Sequence, residues 1–65
     1  MVTQIKLIRL QKEIPQYELA RGLGISESKM SKIETGRMQP TKQELSKIAK
    51  ILKVKVSDIE KDYNQ

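Results

Sequence analysis

The chain contains no cysteine, no histidine, no tryptophan and no phenylalanine, and Tyr17 and Tyr63 are its only aromatic residues. Without Cys or His, the usual zinc-ligand sets, thiol and imidazole catalysis and disulfide staples cannot be assembled. Hydroxyls and carboxylates remain, but no imidazole is present to activate them, so neither an enzyme nor a metal or cofactor site is expected. No segment approaches the roughly 20 apolar residues of a membrane span. The opening MVTQIKLIRLQK interleaves Lys6, Arg9 and Lys12 with its apolar residues, unlike the core of a signal peptide. A helix lying on lipid would lack Trp and Phe anchors, so a cytoplasmic protein without a membrane partner is expected. Sixty-five residues form one expected domain, residues 1–65, with little interior for a deep cavity. Its stability must come from packing, within the chain or across a dimer.

What is abundant is positive charge: 13 Lys+Arg against 8 Asp+Glu, a net charge of +5. Residues 56–65 carry Asp58, Glu60, Lys61 and Asp62, so the excess is concentrated in residues 1–55, at +7. That distribution suits a polyanion. Solubility alone would also be served by a net charge.

Hydrophobic spacing and punctuation predict five short helices. Ile5 and Ile8 define a first helix over about residues 2–12, which Glu13, Ile14 and Pro15 break. A second runs from Pro15 or Gln16 to Gly22 or Leu23, burying Leu19, Ala20 and Leu23, and ends at Gly24. Ser26 caps a third, with Met30 and Ile33 inward, and Gly36 ends it. Thr41 and Glu44 form a capping box before Leu45, Ile48, Ala49 and Leu52. Ser57 and Glu60 repeat the S-x-x-E device before Ile59 and Tyr63, predicting a short fifth helix. The alternation from Leu52 to Val56 is taken as an extended link. The expected core is Ile5, Ile8, Leu19, Ala20, Leu23, Ile25, Met30, Ile33, Leu45, Ile48, Leu52 and Ile59.

Residues 16–35, QYELARGLGISESKMSKIET, read as helix, glycine turn, helix. Two helices crossing near a right angle over a short turn need a small residue at the crossing and a glycine in the turn. Ala20 and Gly24 stand at those two places. On a helical wheel Met30 and Ile33 turn inward, while Ser28, Ser31, Lys32 and Thr35 face out, flanked by Glu27 and Lys29.

The stretch IPQYELARGLGISESKMSKIETGRMQP at 14–40, followed by ELSKIAKILKVKVSDI at 44–59, resembles the Cro and phage-repressor helix-turn-helix family, also called Xre-like. IKLIR at 5–9 matches more weakly. The resemblance implies an all-α, compact five-helix lambda-repressor-like DNA-binding domain with its helix-turn-helix at residues 16–35. It further implies that the third helix enters the major groove and the second lies across the backbone. Glu27, Ser28 and Lys32 match the family's base-reading positions. Lys32 can donate to guanine, Glu27 can accept from cytosine N4, and Ser28 can serve either. Glu27 can equally complement the positive end of its own helix. Gln16, Thr35 and Arg37 match phosphate-contacting positions, and Lys29 and Lys42 could join them. Arg9 and Glu34 match a pair that ties the first helix to the end of the third.

Three positions depart from the family pattern: Pro15 replaces the usual Ser or Thr cap, Gly22 a better helix former, and Lys53 a glycine. The expected function is sequence-specific double-stranded DNA binding by a transcriptional regulator, a repressor acting as a homodimer on a palindromic operator. Its dimer surface would comprise Ile51, Val54, Val56, Ile59 and Tyr63, unless these complete the monomer's own core. The alternative is a protein-interaction module of the same fold, such as an antitoxin or co-regulator, with a protein partner.

Overall fold

The computed structural model describes residues 2–63, and five α-helices with no strand are found among them: α1 Gln4–Gln11, α2 Gln16–Leu23, α3 Glu27–Glu34, α4 Lys42–Leu52 and α5 Val56–Glu60. The longest has 11 residues, below the length at which an isolated helix holds in water, so each depends on the face it buries. Those faces meet in one core of Ile5, Leu19, Ala20, Leu23, Met30, Ile33, Leu45, Ile48, Ala49, Leu52, Ile59 and Tyr63. α2 packs against both α3 and α4, and α5 closes against α4 and α1. Ile8 and Ile25, expected inside, are half-buried at the margin of this core.

Four helix starts carry distinct devices. Thr3 caps α1 by accepting from the Lys6 N–H, Ser26 caps α3 by accepting from Lys29, and Thr41 and Glu44 complete the expected capping box on α4. Pro15 precedes α2 with no side-chain cap, its fixed φ setting the entry. The fifth start differs from expectation. α5 begins at Val56, and the Asp58 carboxylate, not Glu60, reaches back to the Lys55 N–H at 3.1 Å. Ser57 therefore lies inside the first turn, because Asp58 is the acid three residues after the residue that leaves the extended link.

The first four helices end in one recurring motif. Past each stands a left-handed residue, Glu13 (φ 57°), Gly24 (φ 73°), Gly36 (φ 81°) and Lys53 (φ 59°). In each case the next N–H reaches back five residues: Ile14 to Arg9, Ile25 to Ala20, Arg37 to Lys32 and Val54 to Ala49. This satisfies carbonyls the helix end would leave bare. Three of those following residues, Ile14, Ile25 and Val54, also pack against the core.

Gly22, a poor helix former, has a local reason. A Cβ at this position would lie 2.6 Å from Ile51 Cδ1, so a larger residue would require the end of the Ile51 side chain to shift.

A left-handed backbone costs about 1–2 kcal/mol for an L-residue other than glycine. Lys53→Gly is therefore expected to stabilise the fold by about 1 kcal/mol, read as a rise of roughly 4–8 °C in melting temperature. Thermal unfolding followed by circular dichroism checks this, and an unchanged or lower midpoint would contradict the strain at Lys53.

Candidate nucleic-acid interface

The centre of the site is a buried carboxylate. Glu34, the last residue of α3, is 1% exposed. Its Oε2 accepts from Arg9 Nε at 2.6 Å, and its Oε1 accepts from Arg9 Nη2 and from Gln16 Nε2, each at 3.1 Å. The remaining guanidinium edge, Arg9 Nη1, donates to the Ile14 carbonyl at 2.7 Å. The expected tie between α1 and α3 is thus present, and it also holds the first residue of α2. Thr3, which the sequence reading left unassigned, donates its hydroxyl to the Glu34 carbonyl at 2.9 Å. Its position just before the first apolar residue of a helix was the available signal.

From the other end of the chain, the Tyr63 hydroxyl donates to the Ile33 carbonyl at 2.6 Å, and the Asp62 carboxylate accepts from the Gln4 N–H at 2.6 Å. Burial raises the Tyr63 phenol above its ordinary value and keeps it protonated as a donor. Among the described residues no buried side-chain polar atom lacks a partner. The eight-residue α3 is therefore held at its C-terminal end by groups from both ends of the chain, leaving its opposite face open.

That open face carries the expected base-reading residues. Glu27, Ser28 and Lys32 are all exposed on α3, while Met30 and Ile33 are fully buried. The expected phosphate contacts divide. Arg37 and Lys42 are exposed, and neither belongs to the two ion pairs found among the described residues. Gln16 is half-buried, with one amide hydrogen directed to Glu34 and a second still to offer. Lys29 is occupied, its Nζ lying 3.1 Å from Glu44 Oε2 and bracing α3 against the start of α4. The Thr35 hydroxyl donates into the Ser31 and Lys32 carbonyls, so it turns lone pairs rather than a proton outward.

The expected dimer surface needs correction at two positions. Ile59 is 0% exposed and Tyr63 only 5% exposed, so both are core of the monomer and have no area to give a partner. Tyr63 belongs to the buried core cluster, and its hydroxyl donates to the Ile33 carbonyl of α3. Ile51, Val54 and Val56 are half-buried against the core.

A helix-turn-helix family model matches residues 5–63, which takes in all of α2, α3 and α4 and the Glu34 hub. The chain belongs to the helix-turn-helix family of the Cro and phage-repressor, Xre-like type. It is 36% identical over 59 residues to a protein of Methanocaldococcus jannaschii named as an uncharacterized HTH-type transcriptional regulator, covering 91% of this chain and 89% of that one. The Pro15 departure leaves Gln16 at the first turn of α2, anchored through Glu34 rather than through a side-chain cap.

The cap and the brace on Glu44 together give a pH signature. The Glu44 carboxyl is held below 4.5, first by the Thr41 N–H and then by Lys29, against the opposing effect of burial. A depressed carboxyl contributes stability that is present above its unfolded value and lost as pH falls through its folded value. Acid titration of unfolding should show this loss from about pH 5 downward. Glu44→Gln should flatten that part of the curve, and an unaltered acid limb would show that the contacts do not stabilise the carboxylate.

Proposed function

We propose that this protein is a sequence-specific double-stranded DNA-binding transcriptional regulator, acting as a repressor. The observation that carries the reading is the exposed polar face of α3. Ser28 and Lys32 stand clear on a helix whose opposite side is wholly buried and whose end is locked by Glu34. A pre-positioned helix of this kind fits the major groove, and the matched family supports that placement. The relative named as a transcriptional regulator supports regulation as the role.

In this reading Lys32 donates to guanine, Ser28 reads either base, and Glu27 accepts from cytosine N4 or complements the start of α3. Arg37 and Lys42 neutralise phosphates. The second amide hydrogen of Gln16 and the uncapped N–H groups at the start of α2 address another. Lys29 and Thr35 play bracing roles instead. One α3 spans too few base pairs for useful selectivity, so two copies on a palindrome, with half-sites about one helical turn apart, complete the reader. The surface left for that pairing is the half-buried trio Ile51, Val54 and Val56.

Lys32→Ala should cost about 1–3 kcal/mol at one base position, whereas Arg37→Ala should weaken all sequences alike and lower the salt dependence by about one charge. Gel-shift titration on sites selected from a random duplex pool, at 50 and 200 mM salt, reads both effects. Negligible binding of any duplex at either salt would sink the DNA reading. Selected sites without two-fold symmetry would sink the dimer.

A further inference from the structure

A cavity of about 150 Å³ lies where the connection from α3, the first turn of α4 and the end of α5 meet, lined by Gln39, Pro40, Lys42, Leu45, Glu60 and Tyr63. Its floor is apolar, because Pro40, Leu45 and Tyr63 are buried. Tyr63 has already committed its hydroxyl to the Ile33 carbonyl, so it offers ring rather than a free donor. The rim carries both signs of charge. Lys42 and Glu60 are exposed there, and neither joins an ion pair among the described residues, so they border one opening without closing on each other.

We propose that this cavity is a binding site for a small zwitterion with an aliphatic body, of the size of a free amino acid. Each part of such a ligand answers a part of the wall. The aliphatic body covers Pro40, Leu45 and the Tyr63 ring, the carboxylate meets Lys42 and the ammonium meets Glu60, with the Gln39 amide at hand to give or accept a hydrogen bond. The volume is well below the roughly 300–1,000 Å³ of a site for a drug-sized ligand and close to that of a cavity that holds benzene, so about six non-hydrogen atoms fit inside and the charged groups stay at the rim. A simple anion such as phosphate would face Glu60, and a simple cation would face Lys42, each a repulsion that the zwitterion avoids. An uncharged apolar ligand would cover the rim charges and leave them without partners.

Occupancy bears on DNA through two of the lining residues, a consequence that rests on the DNA-binding reading above. Lys42 is a phosphate contact in that reading, and a carboxylate held on it withdraws its charge from the DNA backbone. Tyr63 ties the cavity wall to α3 through the Ile33 carbonyl. The ligand is therefore an antagonist of DNA binding, and by linkage duplex DNA weakens the ligand by the same factor.

The test begins without DNA. The full chain, isotope-labelled for NMR, is titrated with L-leucine and 6-aminohexanoate, which hold their two charges close together and far apart, and with hexanoate and hexylamine, which carry one charge each. At least one zwitterion should saturate on the order of 1 mM, with amide shifts centred on Lys42, Leu45, Glu60 and Tyr63. Hexanoate and hexylamine should bind at least fivefold more weakly. Glu60→Gln should weaken the zwitterion at least fivefold with the melting temperature unchanged. In gel shifts at 100 mM salt, the saturating zwitterion should then lower affinity for a selected duplex about five- to tenfold, the loss expected for one phosphate contact, and Lys42→Gln should abolish that effect.

Failure of both zwitterions to saturate below 20 mM would overturn the site. So would equal binding of hexanoate or hexylamine, full affinity in Glu60→Gln, or shifts centred on Ile51, Val54 and Val56. Zwitterion binding that leaves DNA affinity unchanged would overturn the antagonism. A protein that binds no duplex even without ligand would instead remove the DNA-binding reading, and the titration without DNA would still decide the site.

Discussion

A carboxylate taken out of water must be fully partnered or the fold fails around it. Glu34 is such a group, and the way it is satisfied sets the arrangement of three helices. Two guanidinium contacts from Arg9 and one amide contact from Gln16 fix α1, the start of α2 and the end of α3 relative to one another. The geometry allows little slack, because the bidentate pair is planar and Arg9 is pinned a second time by the Ile14 carbonyl. Removing one partner of a buried pair typically costs about 3–5 kcal/mol, a large part of the margin of a domain this small. The pair's main contribution is therefore orientation: it makes α3 a rigid element and aims Gln16.

The helix ends explain much of what the sequence revealed and what it concealed. Gly24 and Gly36 announced their turns because only glycine adopts a left-handed backbone without strain. Glu13 and Lys53 adopt the same conformation at the same place in the same motif; residue type gives no sign of it, and only the family pattern, with a glycine where Lys53 stands, marks the second. What decides these two turns lies one residue further on. Ile14 and Val54 pack on the core, and their burial draws the chain round a corner that the preceding residue resists. The turn was legible where local preference and tertiary demand agreed, and hidden where tertiary demand won.

The same division holds for core and site. The buried stripes of α2 and α4 follow from hydrophobic period alone, and so do Met30 and Ile33 of α3. The Arg9–Glu34 pair was foreshadowed by family resemblance and could not have come from spacing, since its partners are 25 residues apart. Tyr63 misled because an aromatic residue near the end of a chain reads equally as interface or as core. Its hydroxyl contact with the Ile33 carbonyl, 30 residues away, decides the matter and is invisible in one dimension. Lys29 and Thr35 were read as outward-reaching for a related reason. A helical wheel gives the direction of a side chain but not the neighbour waiting there, which is Glu44 for the first and the helix's own carbonyls for the second.

The placement of these bracing contacts bears on how α3 could serve the groove-reading role proposed for it. An eight-residue helix has no independent stability, so any looseness in its supports would become looseness in the positions of Ser28 and Lys32. The supports are concentrated away from those residues. Ser26 caps the start, Lys29 meets Glu44 on one side, and Thr3, Tyr63 and Arg9 hold the last two residues. Each bracing group reaches the flank, the buried side or the ends of α3, and none occupies the outward face. Side chains fixed in this way lose little further freedom when they meet a partner, which is the condition under which a few polar contacts can discriminate between bases. Thr3 and Tyr63, which hold the last two residues of α3, and the Gln4–Asp62 contact that joins their two segments, thus support the proposed reading helix from positions off its exposed face.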